Sequence, residues 1–250
     1  MRIRAAEGGF RSLREAREWV EQTFQGSLHP VGHSLLVSAP AHCSEGPSPD
    51  GGQSRSGSAG GLEKGGLEVA LKAAGVHQQT RLAWGDGRQV GLYGQTRWVW
   101  APRGVKIRQR VQMERRWRYL APAVNPIEGH LSWCWIENLK AESVARVLCH
   151  WHQEGIEAAV VDRASGHLEA QKANAGVVLI FQPPYSPELN PMERVFEEIR
   201  RAVEGRPYRD LQEKVERIEE ELRRWAGDPA RTRGLTGWSW IQEAWAYLPP

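Results

Sequence analysis

Cysteine is scarce. Three residues, Cys43, Cys134 and Cys149, are spread through 250 positions with no CxxC spacing. An odd, scattered set argues against a disulfide framework. In "CHWH", Cys149 and His152 would share a helix face, but no second pair completes a zinc site. Long apolar runs are also lacking: no stretch of about 18 or more apolar residues occurs, so no segment reads as a membrane-spanning helix. The opening "MRIRAAEGGFRSLREAREWV" is too charged for a secretory leader, and the expected compartment is the cytoplasm. Acidic residues are lacking from one region above all. Between Arg97 and Arg118 lie Arg97, Arg103, Lys106, Arg108, Arg110, Arg115, Arg116 and Arg118, with Glu114 the sole acid. A net charge of only +3 therefore conceals a local basic run that suits a polyanionic partner.

What is present divides into three zones. Residues 10–25, "FRSLREAREWVEQTFQ", carry Leu13, Ala16, Val20 and Phe24 near the helical period and predict a helix. From 26 to 66 the pattern stops. Ser, Gly and Pro dominate, bulky residues are few, and the segment cannot offset its ordering entropy. Two readings stand: a disordered linker, or a frame-shifted segment, because codons for this stretch read one base further on can spell basic helical sequence. From Leu67 to the C-terminus the periodicities of a folded domain return. Strands are expected at "TRLAWGD", "RWVWAPRGV", "RWRYLAPAVNP", "HLSWCWIE", "IEAAVVD" and "VVLIF", and helices at "LEVALKAAG", "AESVARVLCHWHQEG", 191–204 and 210–226. "IEAAVVD" lacks polar alternation after Glu157, as buried parallel strands do. The order predicts an α/β fold with a mixed sheet flanked by helices.

Three acids sit beside strand ends, where ligands of open α/β sheets gather. Asp86 closes "TRLAWGD", Asp162 closes "IEAAVVD", and Glu193 follows "VVLIF" by one proline-rich turn. Neighbouring carboxylates resist joint ionisation unless a cation lies between them. Mg²⁺ or Mn²⁺ suits such oxygen ligands, and a pair of ions about 3.5–4 Å apart could activate a nucleophile and stabilise the leaving oxygen of a phosphodiester. Each acid also has a plainer role. A strand-terminal Asp can start a turn. With Asn190 as N-cap and Pro191 at N1, Glu193 occupies the capping-box position. His167, near Asp162, is equally consistent with a satisfied surface residue.

The segment "FQPPYSPELNPMERVFEEIRR" closely resembles the signature of DDE-type transposases of the bacterial insertion-sequence branch of the Tc/mariner superfamily. "VVDRASGH" is similar to that family's second acidic motif. "LAWGDGRQVGLYGQTRWVWAPRG" is similar to the first, and 30 residues separate Asp162 from Glu193, near the family's spacing. The resemblance covers roughly residues 67–245 and implies an RNase H-like catalytic domain with Asp86, Asp162 and Glu193 as catalytic metal ligands. It implies Mg²⁺- or Mn²⁺-dependent cleavage at element ends and joining of the freed 3′-hydroxyl to target DNA, usually at a TA step. It also implies a nucleoid-associated protein, and a homodimer is possible. One departure stands out: the family has Glu after the first Asp, and this chain has Gly87. Residues 1–25 would then be the remnant of a helix-turn-helix region, and 67–250 the catalytic domain.

Within the basic run, Arg97, Arg103, Lys106, Arg108 and Arg110 are expected to contact DNA phosphates, giving salt-sensitive affinity without sequence reading. Trp98, Trp100 and Trp117 could stack on bases, but core packing is the expectation. In 210–226, Leu211, Val215, Ile218, Leu222 and Trp225 suit docking onto the domain's own sheet better than a coiled coil. The alternative function is a decayed copy that only binds DNA. A glycosidase using paired carboxylates is weaker, because it leaves the basic run unexplained.

Overall fold

The structure is a computed structural model. It describes residues 36–39, 66–94, 99–102, 108, 110–172, 176–184 and 186–250. The helix expected at 10–25 lies outside the described residues, as do Arg97, Arg103 and Lys106. The described residues fall into two compact units. One draws on segments within 1–51, 91–116 and 200–214, the other on 52–90, 117–199 and 215–250.

In the first unit, strands β1 (Leu36–Ala39) and β4 (Val99–Pro102) pair antiparallel, with Leu36 opposite Pro102 and Ala39 opposite Val99. "LVSA" is short, with Val37 its one β-favouring residue, and the rest of 26–65 lies outside the described residues. Lys214 is buried here. Its ammonium donates to the Gly91 carbonyl at 2.6 Å and lies 5.7 Å from the Tyr208 ring centroid. Desolvation lowers its pKa.

The second unit is built on a mixed sheet. Strands β2 (Leu82–Gly85), β7 (Ala158–Val161) and β8 (Val178–Phe181) run parallel, and β5 (Trp117–Val124) pairs antiparallel with both β2 and β6 (Leu131–Ile136). Strand β3 (Arg88–Gly91) also joins β5. β6 is an edge strand whose six residues all pair with β5, from Leu131 opposite Val124 to Ile136 opposite Tyr119.

Both faces of the sheet are covered. Ala83, Ala121, Ala123 and Ala159 point to one face and pack with Val144, Val147, Leu148 and Trp151 of helix α2 (Ala141–Gln153). Small residues on the strands leave room for the tryptophan. Leu82, Trp84, Leu120, Val124 and Val160 alternate to the other face and are also buried. Helix α1 (Leu67–Ala73) precedes the sheet, and helix α3 (Ser165–Lys172) packs against α2.

Helices α4 (Met192–Val203) and α5 (Leu211–Ala226) follow β8. Their stripes are buried: Met192, Val195, Phe196, Ile199 and Val203 on α4, and Val215, Ile218, Leu222 and Trp225 on α5. Glu219 of α5 accepts from Trp135 Nε1 of β6 at 3.1 Å, so α5 docks on its own sheet. Two helices absent from the sequence reading, α6 (Pro229–Thr236) and α7 (Ser239–Ala246), close the chain. Trp117 departs from expectation: it is 48% exposed rather than in the core, at the start of β5, whose burial rises along the strand towards Val124. Among the described residues no helix is long and apolar enough to cross a membrane.

Candidate active site

Strand register places the first two acids. Leu82 pairs with Ala158 and Trp84 with Val160 in the parallel β2–β7 ladder. Asp86 follows β2 directly and Asp162 follows β7 directly, so the two acids leave the same end of neighbouring parallel strands. Both residues lie just beyond the carboxyl ends of their strands, where the backbone leaves the sheet and side chains face the opening. β8 adds the third approach. Its chain runs through Pro183 and Pro184 to a 3₁₀ turn at Pro187–Leu189, then enters α4, whose first turn holds Glu193. The prolines fix φ along this path and keep the turn stiff.

Each acid has a partner that sets its orientation. Asp86 Oδ2 accepts from Asn190 Nδ2 at 3.0 Å, and Oδ1 accepts from the Gly87 amide at 2.7 Å. Burial pushes the Asp86 carboxyl up to about 6, and the negative charges of Asp162 and Glu193 push in the same direction. Asp162 and Glu193 thus both act on the Asp86 carboxyl. Asp162 Oδ1 meets His167 Nδ1 at 2.7 Å and accepts from the Ala164 amide at 3.2 Å. The His167 bond holds the Asp162 pKa below the ordinary value, although its side chain is 54% exposed. His167 itself is buried, so it is not the surface residue the sequence also allowed.

Glu193 resolves a competition set by sequence. Asn190 does cap α4, its Oδ1 accepting from the Met192 amide at 3.0 Å. The reciprocal half of a capping box is not made. The Asn190 amide donates to the Pro187 carbonyl at 3.0 Å, while Glu193 Oε2 accepts from Arg88 Nη1 at 3.2 Å. Arg88 lies on β3 with its guanidinium 4.9 Å from the centroid of the Phe196 ring. Together with Asn190, Arg194 and Trp238, it lines a cleft of about 620 Å³ beside Glu193. Sequence reasoning missed Arg88 and the bond from Asn190 to Asp86. A basic residue two positions after a strand-terminal acid was the available signal.

The donor set is oxygen only, and burial together with the other two acids raises the cost of ionising Asp86, so its chemistry fits a hard divalent cation such as Mg²⁺ or Mn²⁺. With Glu193 turned to Arg88, no three acidic, histidine or cysteine side chains among the described residues stand close enough to share one ion. Gly87 has the space of a small residue only. A Cβ there would sit 2.6 Å from Leu139 Cδ2, so a longer side chain requires Leu139 to move. Of the five residues expected to contact DNA, Arg108 and Arg110 are described, and both are exposed.

Residues 81–214, more than half of the chain, match the family model of the DDE superfamily endonucleases. The chain belongs to this family. No curated protein matches it in sequence. Among solved structures, this DDE superfamily endonuclease is similar to the Mos1 transposase paired-end complex with left transposon end, at 11% identity and a TM-score of 0.52 over 93% of this chain and 75% of that one. It is similar as well to the Mos1 mariner paired end complex with Mn, at 11% identity and a TM-score of 0.50 over 95% and 72%. At such identity the likeness establishes the fold, an RNase H-like mixed sheet flanked by helices.

Proposed function

We propose that this DDE superfamily endonuclease is an insertion-sequence transposase that cuts DNA at element ends and joins the freed 3′-hydroxyl to target DNA, using Mg²⁺ or Mn²⁺ held by Asp86, Asp162 and Glu193. The observation that supports the reading is the parallel pairing of β2 with β7, whose carboxyl ends lead into Asp86 and Asp162, with the charges of Asp162 and Glu193 acting on the Asp86 carboxyl.

A divalent ion bound by these acids supplies the charge that makes water nucleophilic and lets the leaving oxygen depart. The protein's own groups do the rest. His167 orients Asp162, Asn190 orients Asp86 while fixing the entry of α4, and the stiff turn from Pro183 to Pro191 sets the position of Glu193. The basic run around Arg108 and Arg110 holds the phosphate backbone without reading sequence. In this reading residues 67–250 are the catalytic domain, residues 1–25 the remnant of an end-recognition region, and 26–66 the join between them. The protein works on the nucleoid, with two copies pairing two ends.

Asp162→Asn tests the assignment. The variant should bind duplex DNA as the parent does and lose metal-dependent nicking by at least about a thousandfold, as removal of a principal stabiliser of the transition state does. Nicking that persists in a clean preparation of the variant sinks the assignment.

Gly87 favours a second reading, a decayed copy that binds DNA without completing transposition. Element ends supplied in trans separate the two: excision products support the active enzyme, whereas metal-dependent binding without products supports decay.

A further inference from the structure

We infer that Arg88 is an exchange residue: it holds Glu193 while the metal site is unloaded and passes to a DNA phosphate in the adjoining cleft when Glu193 turns to the metal. This rests on the metal-site reading above.

Four observations carry it. The first is the ion pair itself, Arg88 Nη1 to Glu193 Oε2 at 3.2 Å, which engages the one acid of the three that sits on a helix rather than a strand end. Asp86 and Asp162 instead bond neutral donors or histidine, and those bonds fix them in place. Second, the pair is weak by construction. The side chains of Arg88 and Glu193 are 32% and 35% exposed, and ion pairs so open to water hold loosely. A divalent ion flanked by two further carboxylates outcompetes a single guanidinium for Glu193.

Third, the guanidinium has a second anchor. Phe196, one turn along α4 from Glu193 and 2% exposed, presents its ring face 4.9 Å away. Stacking keeps the planar cation beside the site after the carboxylate leaves. Fourth, Arg88 already lines a cleft that also holds Arg194, Trp238 and the acids Glu188 and Glu197. A guanidinium released there is free for a phosphodiester: its five donors match phosphate oxygens as well as they match a carboxylate. Arg194 is held by Glu197 at 2.9 Å, which leaves Arg88 as the cation that a phosphate would meet once Glu193 has turned away, and Trp238 adds an aromatic surface to the lining.

The exchange couples metal loading to substrate capture. Removing Arg88 deletes both a competitor for Glu193 and a positive charge beside the site, so it tightens metal binding, and it also deletes a phosphate contact. Full-length parent, Arg88→Gln, Arg88→Lys and Asp162→Asn are compared in two measurements, after circular dichroism shows that all four are folded. Mn²⁺ binding is followed by electron paramagnetic resonance without DNA. Binding of a fluorescein-labelled duplex is followed by anisotropy in Ca²⁺ over a salt series.

Arg88→Gln should bind Mn²⁺ about fivefold more tightly than the parent. It should bind the duplex more weakly, with a salt slope smaller by about 0.9. Arg88→Lys should fall between Arg88→Gln and the parent in both. Unchanged or weaker Mn²⁺ binding by Arg88→Gln overturns the inference, and so does tighter Mn²⁺ binding with an unchanged duplex salt slope. If parent and Asp162→Asn bind Mn²⁺ equally poorly, the metal site itself is wrong, an outcome distinct from failure of the exchange.

Discussion

Asp86 and Asp162 each follow the last residue of one of two adjacent parallel strands, yet their environments drive them apart. Burial and two like charges push Asp86 up to about 6, while the bond from His167 holds Asp162 low. The signs differ accordingly. Between about pH 4 and 6 the folded protein retains a proton on Asp86 that the unfolded chain has released, so in chelator stability declines as pH rises through that window. Asp162 contributes stability above its unfolded pKa and loses it as pH falls. Asp86→Asn removes the cost of ionising a buried group. In chelator at pH 7.5 it should raise stability by about 2 kcal/mol, and the gain should shrink towards pH 4. Thermal melts of the two proteins at both pH values check this, and a pH-independent difference contradicts it. His167→Gln should raise the Mn²⁺ concentration needed for nicking about tenfold or more, because the bond that orients a ligand is lost. A titration of nicking against Mn²⁺ reads it. At this scale the sequence exposed the three acids, since strand ends and the proline turn mark them. It hid Arg88 as a partner of Glu193, because that contact joins residues 105 positions apart across the fold. The bond from Asn190 to Asp86 was hidden for the same reason.

The elements that position those residues depend on close packing between the sheet and α2. Gly85 ends β2, and a Cβ there would lie 2.1 Å from Cη2 of Trp151, which is 1% exposed and cannot retreat. Gly85→Ala should therefore destabilise the protein by about 1–3 kcal/mol as an overpacked core does. It should also reduce nicking beyond what stability explains, because the displaced strand end carries Asp86. Denaturant titration beside single-turnover nicking separates the two effects, and a variant as stable as the parent contradicts the packing account. Legibility at this scale follows periodicity. The stripes of α2, α4 and α5 were plain because their apolar residues recur on one face, and every stripe residue except Leu211 is buried. β3, with the sequence RQVG, was not legible: four residues after an Asp-Gly turn carry no alternation to read. Helix α3 was hidden for another reason. SGHLEAQK buries only Gly166, His167 and Ala170, small or polar residues that form no apolar stripe. His167 was thus noticed by its spacing from Asp162, while the helix that presents it was not.

For the whole molecule, the proposed function requires that DNA be held. A formal charge of +3 over 250 residues provides little general attraction, so affinity must come from local clusters. Arg108 and Arg110 are exposed, as are Arg115 and Arg116, although Arg116 is paired with Glu114 at 2.8 Å. An exposed arginine paired with an acid gives up that pair on meeting a phosphate, which lowers its net contribution. Arg108 and Arg110 are therefore the better choice for substitution. If each neutralises one phosphate, the double variant Arg108→Ala with Arg110→Ala loses two counterion-releasing contacts. Its plot of log affinity against log salt should be shallower by about 1.8, with the loss equal on duplexes of unrelated sequence. Equal slopes for variant and parent would mean that the basic run is an ordinary solvated hairpin. A loss confined to one sequence would mean that it reads bases rather than phosphates. Because neither arginine belongs to the acidic site, Mn²⁺ binding by the double variant should match that of the parent. A change there would show that the substitutions disturb more than the DNA contact they remove.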